Sequence, residues 1–156
     1  MKPLLALTFL LTIGLALGIS AQGAEECRPT TPDAMGPFYK PDAPVRSQVG
    51  EGYLLQGRVL STADCRPLPE ATIEFWLTGP DGRYDDAHRA TVPADRQGAY
   101  RFESNFPTPY MGRPPHIHVR VSAPGHQTLV TQHYPKPGDR QAQFDLVLKP
   151  ERSPSP

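Results

Sequence analysis

The chain has little that would tie it to nucleic acid, to a membrane interior or to a zinc finger. Sixteen basic residues balance sixteen acidic ones, with no basic block to face a phosphate backbone and no acidic block to mark a disordered tail. It has only two cysteines, Cys27 and Cys65, and neither stands in a CxxC pair or in metal-finger spacing. Only one long apolar run is present, Leu4 to Leu17, and nothing after it is apolar enough to cross a bilayer. No internal repeat is evident. Stretches that could sustain a helix are scarce, because twenty prolines and thirteen glycines punctuate the sequence.

Residues 1–24 have the layout of a secretory signal peptide. Lys2 opens it, and the apolar run is shorter than the roughly 20 residues of a spanning helix. Small residues (Gly18, Ser20, Ala21, Gly23, Ala24) then precede Glu25 and Glu26. Cleavage there predicts a secreted or periplasmic protein with no membrane attachment. One domain over residues 25–150 and a frayed polar tail over 151–156 would remain. In an oxidising compartment an even cysteine count favours a Cys27–Cys65 bridge, tying the start of the mature chain to the domain, over two buried thiols.

The apolar residues recur at the length and period of short strands. Tyr53–Leu60, Ala71–Leu77, Gly98–Glu103, His116–Ala123, Gln127–His133 and Ala142–Leu148 read as strands. Ile73, Phe75 and Leu77 alternate cleanly; so do Ile117, Val119 and Val121, and Phe144, Leu146 and Leu148. The expected fold is all-β, a two-sheet sandwich. Glu26–Val49 is proline-rich and without period, and reads as an arm crossing the domain surface. Two long connections, Thr78–Gln97 and Asn105–Pro115, read as irregular.

Within RPPHIHVRV, His116 and His118 lie two residues apart on a strand, so both point to the face opposite Ile117, Val119 and Val121. Two imidazoles at that pitch can grip one metal ion; two solvated histidines on an edge strand are the plain alternative. Tyr84 ends GPDGRY and Tyr110 closes PTPY, both in polar, proline-bounded loops that give a ring little core to join. Phenolate is a hard oxygen donor that suits a hard, high-valent cation. Zinc would more naturally take Cys, His or carboxylate; copper remains compatible with the nitrogen donors.

These segments together resemble the intradiol ring-cleavage dioxygenases, such as catechol 1,2-dioxygenase and protocatechuate 3,4-dioxygenase. The resemblance runs through TPDAMGPFY (31–39), ATIEFW (71–76), DGRY (81–84), GAYRFES (98–104), PTPY (107–110), RPPHIHV (113–119) and TQHY (131–134). It implies a non-haem Fe(III) held by Tyr84, Tyr110, His116 and His118, with Tyr110 and His118 axial. It implies that Arg113 and Gln132 face the substrate, and that Tyr110 also serves catalysis as an internal base. The partners it implies are a small aromatic diol and O2; the product is a muconate-type diacid. The sequence lacks the helical N-terminal dimerisation region of the larger catechol enzymes, which leaves monomer and homodimer both open. Met111 and Gly112 stand where an aromatic residue often follows the second tyrosine, which leaves the particular catechol open.

The remaining candidates carry simpler readings. Arg113 could instead be a surface cation paired with Asp85 or Asp86. Tyr134 is a candidate for the pocket wall, and His88 for its entrance. Tyr39, Tyr100 and Trp76 read as packing. A non-catalytic β-sandwich module binding carbohydrate or protein is the competing function. It would display a row of exposed aromatic residues, for which the sequence offers Tyr39, Tyr53 and Trp76.

Overall fold

A computed structural model describes residues 27–152. The signal segment 1–24 and residues 153–156 of the tail lie outside the described residues. Among the described residues eight strands form: β1 (Tyr53–Ser61), β2 (Thr72–Leu77), β3 (Arg89–Pro93), β4 (Ala99–Ser104), β5 (Ile117–Ser122), β6 (Leu129–His133), β7 (Gln141–Gln143) and β8 (Leu146–Leu148). One sheet has the order β3-β2-β5-β6, antiparallel throughout. The other has β4 antiparallel to one edge of β1, with β7 and β8 running parallel to it in succession. Among the described residues no helix is long and apolar enough to cross a membrane.

Period-two alternation builds the core, as read from the sequence. Leu55 and Val59 of β1 and Phe102 of β4 face Ile73, Phe75 and Leu77 of β2 and Ile117, Val119 and Val121 of β5, and all are buried. Phe75 stacks on Phe102 between the sheets, with ring centroids 4.2 Å apart. Two elements depart from expectation. The connection after Thr78 contains β3, whose short Ala90–Val92 run is closed in by Arg89 and Pro93 and so carries little periodic signal. The run Ala142–Leu148 breaks into β7 and β8 at Phe144. There the Phe144 carbonyl swings so close to Gly57 that a Cβ on Gly57 would sit 2.2 Å from its oxygen. That carbonyl accepts instead from the Tyr100 hydroxyl (2.6 Å).

The arm crosses the surface as expected. The Asp33 amide donates to the Val130 carbonyl on β6 (2.9 Å) and the Thr131 hydroxyl to the Thr31 carbonyl (2.8 Å). The chain then passes over the outer face of the β3-β2-β5-β6 sheet, and Val45 bridges Thr91 at the β3 edge. This cover explains why β2 is buried on both faces: Glu74 and Trp76 point outward from the core yet lie under the arm. Tyr39 hydrogen-bonds Glu74 (3.0 Å), which also accepts from Arg120.

Cys27 and Cys65 form a disulfide across a separation of 38 residues, which moors the start of the arm. Cross-linking a loop of that length is worth about 2–4 kcal/mol. Cys65→Ser should lower unfolding free energy by that amount in chemical denaturation, and reductant should reproduce the loss in the parent; identical curves with and without reductant would contradict it.

At one end of the core the Tyr53 hydroxyl and His133 Nε2 lie 2.6 Å apart. Burial pushes the His133 pKa down to about 4, below the ordinary histidine value. Protonation therefore favours the unfolded chain. The stabilisation is complete above about pH 6.5 and is lost as pH falls toward about 4. His133→Gln should flatten the fall in melting temperature across that window; a slope equal to the parent's would rule His133 out as a source.

Candidate metal centre

Strand register lays out the site on the sheet's outer face. His118 lies directly opposite Trp76 of β2 and Gln132 of β6. Trp76 stacks flat on the His118 ring at 4.9 Å and 4°. His116 immediately precedes β5, and its ring centroid is 4.8 Å from that of His118. Both imidazoles are buried, beneath the arm. The arm comes close because residue 36 is glycine: its φ is +70°, and a Cβ there would meet His118 Cε1 at 3.1 Å.

The two long connections deliver the tyrosines. Thr78, at the end of β2, donates from its hydroxyl to the Thr108 carbonyl and accepts from the Thr108 amide, each at 3.0 Å. These bonds pin the strand of loop that ends at Tyr110. Tyr84 stacks on Phe38 of the arm at 4.4 Å, and Phe38 meets Tyr110 edge-on at 5.3 Å. The four expected ligands, Tyr84, Tyr110, His116 and His118, thus line one cavity of about 210 Å³, together with Pro37, Phe38, Met111 and Arg113. Phe38 was the residue that sequence reasoning passed over. Its neighbours in PFY were legible as a motif, but which ring would reach the tyrosines depended on the arm's path.

Hydrogen bonds set the donor atoms. His116 Nδ1–H donates to the Pro114 carbonyl (2.8 Å), so Nε2 keeps its lone pair. That nitrogen accepts from the Tyr84 hydroxyl at 2.8 Å, with Arg113 Nη1 at 3.4 Å. Burial lowers the His116 pKa, and burial with the neighbouring His116 and Arg113 takes His118 down to about 4, so both rings are neutral donors at pH 7. His118 Nδ1 is buried without a hydrogen-bond partner; the nearby Ala34 backbone opposes the pKa shift but does not reach bonding geometry. Burial raises the Tyr84 phenol to about 12.

Arg113 is not paired with Asp85 or Asp86. Asp85 is held by His88, and Asp86 by Lys40 and Arg89. Arg113 Nη2 donates to Gln132 Oε1 (2.7 Å) and to the Tyr134 hydroxyl (3.0 Å). Gln132 does not line the cavity itself: its oxygen accepts from Arg113 (2.7 Å) and lies 3.1 Å from the Tyr134 hydroxyl, and its nitrogen donates to the Ala34 carbonyl (2.6 Å). Tyr134 does not line the cavity; its hydroxyl meets Arg113 and donates to Asp33 Oδ2 (2.8 Å), and its ring lies 6.1 Å from that of His116. His88 is engaged with Asp85 at 2.7 Å and likewise does not line the cavity. The aromatic row of a binding module is not displayed: Tyr53 and Trp76 are buried, and Tyr39 packs on Trp76.

The residues fit a hard cation. Among the described residues no three His, Cys, Asp or Glu side chains gather to hold a metal, so four protein donors here require the phenols beside the two histidines. Tyr84 Oη and His116 Nε2 already touch across a proton that a cation would displace. Ionising a phenol shifted to about 12 costs several kcal/mol at neutral pH, which calls for a highly charged ion beside it.

Fold and cradle together define a β-sandwich protein in which two tyrosines and two histidines line one cavity. The Dioxygenase family model matches residues 29–152. Chlorocatechol 1,2-dioxygenase of Cupriavidus pinatubonensis is 30% identical, over 78% of this chain and 60% of the relative. Hydroxyquinol 1,2-dioxygenase of Rhodococcus opacus is 31% identical, over 90% of this chain and 63% of the relative. The chain therefore spans about 60% of the length of these curated relatives. Among solved structures, the dioxygenase domain of a dioxygenase carbohydrate-binding protein fusion from Streptomyces sp. SirexAA-E superposes with TM-score 0.71 at 28% identity, covering 80% of this chain and 100% of that one. The chain belongs to the intradiol ring-cleavage dioxygenases.

Proposed function

We propose that the protein is a secreted non-haem Fe(III) dioxygenase that opens a catechol-type ring between its two hydroxylated carbons, with O2, to a muconate-type diacid. The observation that carries this reading is the convergence of Tyr84, Tyr110, His116 and His118 on one cavity, with Tyr84 Oη and His116 Nε2 at 2.8 Å. Iron is the metal this family uses, and the relatives' names point to single aromatic rings with two adjacent hydroxyls. Secretion is supported by the layout of residues 1–24 and by the Cys27–Cys65 bridge, which suits an oxidising compartment.

A bound ferric ion would supply Lewis acidity, a template for both substrate oxygens and a route for electron donation toward O2. The other work belongs to side chains. Tyr84 and His116 hold their donor atoms at the cavity wall, and Trp76 fixes the plane of His118. Phe38 and Met111 give apolar surface to the substrate ring. Tyr110, ionised when a metal is bound, would take a substrate hydroxyl proton on its phenolate oxygen and so act as an internal base. Arg113 Nη1 loses its acceptor when the His116 Nε2 lone pair is engaged, and can then donate toward the anionic substrate.

An oxygen electrode with catechol tests the reading. One O2 consumed per catechol, with the ultraviolet absorbance of a muconate-type diacid growing in step, is expected from iron-loaded protein. Absence of uptake, or a yellow semialdehyde product of cleavage beside the diol, would refute it.

A further inference from the structure

We propose that Asp33 is a positioning residue for Arg113, acting through the Tyr134 hydroxyl, so that the N-terminal arm sets the geometry of the cationic group in the pocket. The proposal rests on the catalytic reading of Arg113 given above and adds what holds that side chain in place.

Three observations carry it. First, Asp33 is fixed where it stands. Its amide donates to the Val130 carbonyl, and two residues earlier the Thr31 carbonyl accepts from Thr131, so two bonds tie this stretch to β6. Its Oδ1 accepts from the Ala34 amide at 2.6 Å, which turns Oδ2 toward Tyr134. Second, the Tyr134 oxygen relays the interaction: it donates to Asp33 Oδ2 (2.8 Å) and accepts from Arg113 Nη2 (3.0 Å). Third, among the described residues no carboxylate lies within ion-pair distance of Arg113. Asp33 is its negative counterpart at one hydroxyl's remove. A direct ion pair would neutralise the guanidinium and spend its field on the protein. A hydroxyl between the two charges orients the planar fork while leaving its positive charge to act on the cavity. Gln132 accepts from the same Nη2, its Oε1 3.1 Å from the Tyr134 hydroxyl, and is itself tied to the arm through the Ala34 carbonyl. Asp33 also belongs to the TPDAMGPFY segment, whose acidic residue has no other role in the site.

The test pairs Asp33→Ala with Tyr134→Phe, which cuts the same link from the opposite end while leaving the arm's backbone bonds alone. In metal-free, ¹⁵N-labelled protein, the Arg113 guanidinium, identified by its loss in Arg113→Lys, should give separate Nη signals in the parent. Those signals should collapse to an averaged one in either variant. In iron-loaded protein both variants should keep the parent's iron content and visible band. kcat and kcat/KM should fall together by about 10- to 100-fold, as for other groups that orient a reacting residue. The double variant should fall no further than the single ones. Unchanged Arg113 signals in Asp33→Ala, or losses that add in the double variant, would overturn the proposal. Failure of the parent to turn over any diol would count against the dioxygenase reading alone, because the guanidinium signals report the positioning without iron or substrate.

Discussion

His118→Ala is expected to lose iron while remaining folded. The imidazole is buried under the arm, clamped flat against Trp76, and neutral at pH 7 because burial holds its pKa at about 4. Its lone pair is therefore available without displacing a proton. In the absence of metal the ring contributes little net stability, since its Nδ1 is buried without a partner. Deleting it loses packing against Trp76 but also removes that unsatisfied group, so metal-free melting should shift by no more than about 1–2 kcal/mol. Metal affinity should suffer far more. Changes to groups that merely support a ligand cost about 10- to 100-fold, and loss of a ligand should exceed that. Tyr84→Phe should behave alike, removing the hydroxyl that meets His116 Nε2 at 2.8 Å. Metal analysis after dialysis reads the effect; parent-level iron in either variant would remove that residue from the ligand set.

Arg113→Ala should separate metal binding from catalysis. The guanidinium lines the cavity, but its own bonds run to Gln132 and Tyr134, and its contact with His116 Nε2 is a long 3.4 Å. Iron content should stay at the parent level. Turnover should fall by about 10²–10³-fold, the scale seen when a group that stabilises developing negative charge is removed. Arg113→Lys should recover little of this, because one ammonium cannot reach Gln132, Tyr134 and the cavity at once. Steady-state kinetics on catechol decide it, and a rate equal to the parent's would show the charge to be dispensable.

Much of this site was legible in the sequence because the relevant geometry is local. Two residues two apart on a strand must share a face, so the core assignment of Ile117, Val119 and Val121 already placed His116 and His118 together. Tyr110 and Arg113 sit close before them in the chain, and their convergence needed only a tight turn, which the backbone pairing of Tyr110 with Arg113 supplies. What was not legible is non-local. The run Ala90–Val92 is too short to declare a strand until β2 offers it an edge. The break at Phe144 depends on the missing side chain of Gly57, far away in sequence. Phe38 and Asp33 acquire their roles only because the arm lies across β6, β5 and β2 rather than hanging free, and no periodicity encodes that path. Gln132 lies opposite His118 on β6. Its partners turned it toward Arg113, since a buried carboxamide is oriented by whichever donors and acceptors surround it.

Two phenols bound to one ferric ion cannot be colourless. A visible spectrum of the purified protein, taken with iron and zinc quantified on the same sample, should show about one iron per chain and a broad phenolate-to-iron band that makes the solution burgundy, shifting when catechol is added without air. A colourless protein carrying stoichiometric zinc would contradict tyrosine-held iron, and with it the ring-opening chemistry proposed for this chain.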